Sequence, residues 1–216
     1  MYQAEKPVEA SGDVASLAWQ PTLFDSAAPA PDASFNTVKR HLLDATAWVD
    51  HAPGWMRGAD TLFATLLETA PWEASQQELY GRVVDTPRLI ARWPYQRGSV
   101  ERPPLFEQVR TLLEQRYRRP FNSVSANLYR DGRDSVAWHG DRIPRTVHNP
   151  LVATISLGHS RRFLMRPRGG ITQLSLTLGP GDLVVMGGTS QRTWQHAIPK
   201  VASAGPRISI AVRHSL

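Results

Sequence analysis

The 216-residue chain contains no cysteine, which excludes disulfide bridges, thiolate-bound metals and a cysteine nucleophile. It has no run of eighteen apolar residues, so no spanning helix is expected. Its N-terminus lacks the basic-then-apolar pattern of a secretory signal, and with the missing cysteines this favours the cytoplasm. Lysine is scarce too, being confined to Lys6, Lys39 and Lys200. Acids are scarce in one half: residues 118–216 hold 14 of the 25 Lys+Arg but four of the 19 Asp+Glu, a balance of +10 that leaves −4 for residues 1–117. This basic half is nearly all arginine. It attracts polyanions and fits nucleic-acid binding, although an arginine-rich genome would give the same bias.

What is present is concentrated near the C-terminus. His139-Gly140-Asp141 is followed by His196 and then by Arg207 and Arg213. Two histidines and one carboxylate can occupy one face of an iron and leave the other positions open, which suits non-haem Fe(II) oxygen chemistry. His139 and Asp141 are two apart, so on a strand both side chains leave one face. Residues 135–139, 181–186, 194–198 and 208–213 have strand-like composition. Arg207, Ser209, Ala211 and Arg213 share one face of the last strand. A buried arginine there requires an anion, and guanidinium pairs best with a carboxylate. A dicarboxylate co-substrate such as 2-oxoglutarate fits. A His-x-Asp pair alone occurs by chance; the order of the parts, each on a strand, raises its weight.

Several ordered segments then resemble one family. Asn127-Leu128-Tyr129-Arg130, residues 134–141 (DSVAWHGD), Ser156-Leu157-Gly158, residues 161–166 (RRFLMR), Trp194-Gln195-His196 and Arg207 to Arg213 look like the AlkB-type Fe(II)/2-oxoglutarate-dependent dioxygenases, in their nucleic-acid dealkylase branch. The likeness covers about residues 85–216. It implies a mostly β fold with flanking helices (α+β): a double-stranded β-helix, or jelly-roll, core with N-terminal helices and a nucleotide-recognition lid. It implies Fe(II) on His139, Asp141 and His196, 2-oxoglutarate and O2 as co-substrates, and Arg207 on the distal carboxylate. Asn127 and Tyr129 match the family's Asn-x-Tyr, which binds the co-substrate, and Arg213 matches its second arginine, near the carboxylate that chelates iron. Ser209 stands where the family usually has asparagine. The activity implied is oxidative dealkylation of alkylated bases in DNA or RNA, single-stranded or flipped, for repair or RNA demethylation. The alternatives are a protein or small-molecule substrate for the same chemistry, and a non-catalytic single-strand-binding jelly roll.

Residues 87–95 (PRLIARWPY) resemble the family's Pro-Arg-Leu segment and lid. A base taken out of its stack is held between flat groups, a task for Trp93 or Tyr95 opposite the His139 ring. The alternative is that both are ordinary core aromatics. Arg88, Arg92 and Arg97 would contact phosphates, Arg161 would sit near the substrate mouth, and Arg162, Arg166 and Arg168 would track the backbone. Relatives often carry acids after the metal aspartate; here Arg142-Ile143-Pro144-Arg145 follows, so base preference is expected to differ.

Residues 1–34 read as a flexible Ala/Pro-rich segment, 35–120 as the helices and lid, and 121–216 as the catalytic core, forming one structural domain with 35–120. Gln20-Pro21-Thr22-Leu23-Phe24 looks like a peptide that docks on sliding clamps, or is a local anchor on the core. Asp60 would cap a helix bearing Leu62, Phe63, Leu66 and Leu67. Leu105, Val109, Leu112, Leu113 and Tyr117 have helical spacing between Pro103 and Pro120. A monomer, without membrane association, is expected.

Overall fold

Alternation of apolar residues with period two dictates two β-sheets, and the two apolar helices close one of them. The computed structural model describes Val14, Leu17 and residues 27–79, 82–93 and 102–214. The Gln20–Phe24 peptide, Tyr95 and Arg97 lie outside the described residues.

The larger sheet has eight strands: β2 (Lys39–Leu42), β3 (Ala47–Ala52), β12 (Leu183–Gly188), β9 (Val152–Gly158), β14 (Arg207–Arg213), β7 (Ser123–Tyr129), β6 (Arg82–Trp93) and β5 (Glu73–Leu79), in that spatial order. The smaller sheet orders β11 (Leu174–Leu178), β10 (Arg161–Pro167), β13 (Trp194–Ile198) and β8 (Val136–His139). Among the described residues all pairings in the two sheets are antiparallel, as in a jelly roll. A short pair, β1 (Ala30–Pro31) with β4 (Met56–Arg57), ties part of the Ala/Pro-rich segment to the core, and Val14 is buried against it too.

Each strand of the larger sheet faces two environments. Ile208, Ile210 and Val212 of β14, Val124, Ala126 and Leu128 of β7, and Leu89, Ala91 and Trp93 of β6 turn toward α1 (Ala59–Thr69) and α2 (Pro104–Tyr117). There they meet Leu62, Phe63, Leu66, Phe106, Val109 and Leu113. A second core lies between the sheets, built on Val49, Val152, Val184 and Met186 from one and Phe163, Met165 and Trp194 from the other. The β-core with bracing helices is therefore as expected. The start of α1 is not: its cap is Gly58, at φ 63°, and Asp60 sits buried in the first turn. A Cβ at Gly58 would strike the carbonyl of Ala27. The close approach of the β1 segment, rather than a side-chain cap, sets that end.

The C-terminus of α2 is anchored to the sheet edge by one carboxylate. Asp50, 2% exposed, accepts Arg40 Nε at 2.7 Å and Nη2 at 2.8 Å, and the Tyr117 hydroxyl at 3.0 Å. Arg40 also lies 3.9 Å over the Trp48 ring, which stacks on Tyr117. Burial first, and then the Asp50 carboxylate, push the Tyr117 phenol well above its ordinary pKa. Asp50→Ala leaves the buried hydroxyl without its acceptor. It is expected to destabilise the fold by about 2 kcal/mol. Urea unfolding checks this, and a loss below about 0.5 kcal/mol would mean the carboxylate is not an anchor.

Candidate metal centre and active-site cavity

The site is made by register. In the pairing of β13 with β8, His196 lies directly opposite His139, with a register shift beyond it toward Val136 and Ile198. Both imidazoles enter the space between the sheets, their ring centroids 4.2 Å apart. Asp141 follows the end of β8 rather than lying on the strand, so the expected shared strand face does not apply to it. What aims it is the short helix α3 (Ser190–Thr193), whose Gln191 Oε1 accepts the Asp141 N–H at 2.9 Å. Gly140 permits that approach: a Cβ there would stand 2.7 Å from the Gln191 carbonyl oxygen.

The three donor atoms lie within 4.8 Å of one another. His139 Nε2 is 3.6 Å and His196 Nε2 4.0 Å from Asp141 Oδ1. A cation with ligand bonds of about 2 Å reaches all three after small side-chain rotations. His139 Nδ1 lies 2.8 Å from the Ala137 carbonyl oxygen, to which it can only donate. That tautomer leaves the Nε2 lone pair for a metal. Burial, then His139 and Arg213, push the His196 pKa down to about 3 against the opposing pull of Asp141, so it is a neutral ligand at physiological pH. Burial alone raises the Asp141 carboxyl, but Arg213 and the two histidines outweigh it and hold it well below the carboxylate range. The set suits a divalent metal with nitrogen and oxygen ligands.

The cluster lines a cavity of about 490 Å³ between the sheets. Arg207 reaches into it from β14, 1% exposed, with Nε on Ser156 Oγ at 3.0 Å and its carbon 5.1 Å from the Tyr129 ring centroid. Its Nη1 is buried without a hydrogen-bond partner among the described residues. A fully buried cation with an unpaired N–H in a cavity invites an anion. Asn127, Tyr129 and Ser209 line the same space. Arg213 binds the metal carboxylate itself, with Nε 2.8 Å from Asp141 Oδ2, and donates to Ser125 Oγ at 2.8 Å.

The expected substrate residues divide. Arg88 and Arg142 line the cavity. Arg88 is half-buried and donates to Asn127 Oδ1 at 3.0 Å, so it belongs to the cavity wall rather than to an outer phosphate track. Arg92 shares its strand face but is exposed, 3.8 Å from Glu73 on the hairpin partner. Two readings need correction. Trp93 is 2% exposed and packs edge-on against Phe106 of α2, because odd residues of β6 face the helices and even ones the cavity. It cannot stack on a base. Arg161 is 2% exposed and spends its guanidinium on the carbonyls of Asp131, Asp134 and Pro199, bracing loops instead of meeting substrate.

Gln191 and Arg192 are positioning residues that the sequence did not reveal. Arg192 donates to the carbonyls of Ile143, Pro144 and Val147, pinning the loop after Asp141. Nothing in their spacing marks them; only their place just before the His196 strand gives a cue.

Two antiparallel sheets around a His-Asp-His cluster and a buried arginine define a metal-dependent oxygenase of the jelly-roll class. The sequence model of the 2OG-Fe(II) oxygenase superfamily matches residues 56–213. The chain belongs to that superfamily and is of AlkB type. It is 32% identical over 182 residues to the alkB homolog 3 alpha-ketoglutarate-dependent dioxygenases of Bos taurus and Homo sapiens, covering 74% of this chain and 64% of each relative. It is 33% identical over 135 residues to the ALKBH2 DNA oxidative demethylase of Arabidopsis thaliana, covering 51% and 43%. The chain thus spans under two thirds of the length of these relatives. The family implies Fe(II), 2-oxoglutarate and O2.

Gln191→Ala is expected to weaken binding of Mn(II), a spectroscopic substitute for Fe(II), by about tenfold or more while preserving the melting temperature of the metal-free protein. Titration followed by electron paramagnetic resonance reads this, and wild-type affinity in the variant would show that the Asp141 amide needs no such tether.

Proposed function

We propose that this protein oxidatively removes alkyl groups from bases of DNA or RNA, with Fe(II), 2-oxoglutarate and O2. The observation that carries the reading is one cavity holding the His139, Asp141 and His196 donors together with the buried guanidinium of Arg207, whose Nη1 has no partner among the described residues. Further support comes from the relatives, whose names describe alkB-type dioxygenases and DNA oxidative demethylases. The arginine-rich C-terminal half adds the charge a nucleic acid needs.

His139, Asp141 and His196 would hold Fe(II). Arg207 would take the distal carboxylate of 2-oxoglutarate in a charge-assisted pair, with Asn127, Tyr129 and Ser209 lining its length. Bound metal and co-substrate together supply O2-driven oxidation of an alkyl C–H bond, with succinate and carbon dioxide as co-products. The other work falls to the chain. Arg213 keeps Asp141 ionised and oriented through the bond at 2.8 Å. The Ala137 carbonyl fixes the His139 tautomer, and Gln191 fixes the loop between the two ligands. His196 and Arg207 are buried between the two sheets, so charges beside them act at reduced screening. Once hydroxylated, the alkyl carbon on a base nitrogen is a hemiaminal, which releases an aldehyde and the unmodified base.

Arg142 at the cavity mouth and the exposed Arg92 beyond it would meet phosphates. The loop beginning at Arg142 carries no acid up to Asn149, so base selection there would not use a carboxylate. The protein as a whole would act as a monomer in the cytoplasm, and no helix among the described residues is long and apolar enough to cross a membrane.

The test is succinate formation with Fe(II), 2-oxoglutarate and O2 on methylated single-stranded DNA and RNA, with mass spectrometry of the strand. Restored bases are expected, with loss in His139→Ala. Arg207→Met should raise KM for 2-oxoglutarate about 100-fold, because a buried charge pair loses one partner. Succinate without any change in the strands would move the substrate elsewhere, and no succinate at all would sink the oxygenase reading.

A further inference from the structure

The strand that carries His139 inward carries a large aromatic outward. Among the described residues β8 is the edge strand of the smaller sheet, with only β13 beside it. Trp138, next to His139, is half-buried and lines two spaces at once: the catalytic cavity, and a second pocket of about 160 Å³ on the outer side. That second pocket is floored by Leu164, Ala197, Ile198 and Pro199, with Lys200 at its border. With Val136, Ala137 and Ile198, the indole therefore forms part of the wall between the reacting space and its neighbour.

Its surroundings are cationic. The Arg166 guanidinium lies 4.3 Å from the Trp138 ring centroid, and its Nε donates to Gln195 Oε1 at 3.2 Å. Among the described residues, no carboxylate is in ion-pair contact with Arg166, Lys200 or Arg162, the exposed cation four residues earlier on β10. An indole at a cavity mouth, beside an apolar recess and cations without acidic partners, is what a single strand uses. Bases stack on the aromatic face while phosphates meet the cations. A protein side chain would need no such row of unneutralised charge.

We infer that Trp138 is the stacking platform for the nucleotide that flanks the reacting one in a single-stranded nucleic acid, seated in the outer pocket with its phosphate toward Lys200 and Arg166. The inference rests on the dealkylation reading, and it adds a subsite outside the catalytic cavity that reads strand continuity rather than the lesion. Stacking tolerates any base, so the subsite favours a splayed single strand without choosing its sequence. A nucleotide alone gains nothing from it.

The test is a cycle between the protein and the strand. Full-length protein loaded with Mn(II) and 2-oxoglutarate is titrated, by fluorescence anisotropy, with short methylated DNA and RNA strands in which each flanking base in turn is replaced by an abasic residue. In the wild type, one flanking position is expected to cost about tenfold in Kd when abasic. Trp138→Ala should lose about tenfold on the intact strand and nothing more at that position, while Trp138→Phe recovers most of the loss. Mn(II) affinity, read by electron paramagnetic resonance, is expected to be the same in wild type and Trp138→Ala, which separates a platform from damage to the neighbouring His139. Lys200→Ala should lower the salt slope of binding by about one.

A flat abasic scan on the wild type would overturn the platform even if the variants fail to fold. So would equal losses at every position in wild type and Trp138→Ala. If the wild type binds and repairs the strands while the cycle is additive, the platform alone falls. If it binds no strand at all, the nucleic-acid reading falls with it.

Discussion

The structure of the site depends on one constraint, the register of β13 against β8. His196 must lie opposite His139, because side chains in a strand alternate between faces. A slip of one residue would put Gln195 or Ala197 in its place and turn an imidazole outward. The same register sends Gln195 to the outer side, where it holds Arg166 over Trp138. Inner chemistry and outer surface are thus set by a single alignment. The alignment in turn is fixed on the other flank, where β10 pairs Met165 with His196 and places Phe163 5.7 Å from its ring.

Charge balance constrains the cavity next. Arg88, Arg142, Arg207 and Arg213 line it, and among the described residues Asp141 is its one acidic wall residue. Asp141 is already committed to Arg213 and to the two histidines. A divalent metal would increase the positive surplus. An anionic co-substrate would restore balance, and a dicarboxylate would do so at both ends. Under the proposed function, that would account for the complete burial of Arg207 with Nη1 unpaired, a state that burial otherwise disfavours for a guanidinium.

Much of this was legible in the sequence because it follows from period two. Arg207, Ser209, Ala211 and Arg213 share a face by arithmetic, and the apolar Ile208, Ile210 and Val212 must then face the helices. Strand β13 was bounded by composition at Trp194 and Ile198. The same arithmetic, applied to β6, would have excluded Trp93: Arg88, Ile90 and Arg92 are its cavity side, so Trp93 belongs with Leu89 and Ala91. Arg161 failed for a different reason. Its three acceptors are backbone carbonyls from residues 131, 134 and 199, and carbonyls leave no trace in a sequence. Gln191 is hidden likewise, since its partner is the Asp141 amide.

The short helix α3 shows how such invisible contacts organise the rest. Within four residues it carries Gln191, which holds the loop bearing one metal ligand, and Arg192, which holds the loop beyond it. Its last residue adjoins Trp194, whose indole donates to Asp44 at 2.6 Å and so reaches the opposite sheet through Thr46 and Ala47. The two sheets are therefore linked beside the metal ligands by hydrogen bonds as well as by apolar packing. Ile143 and Val147 bury their side chains under the pinned loop, so Arg142 is presented at the mouth from a fixed base rather than from a free strand. A rigid mouth matters for a polyanionic ligand: if the cation is already in place, less ordering entropy opposes binding. The chain thus places its anchoring interactions in the backbone and leaves the arginines around the mouth to the ligand.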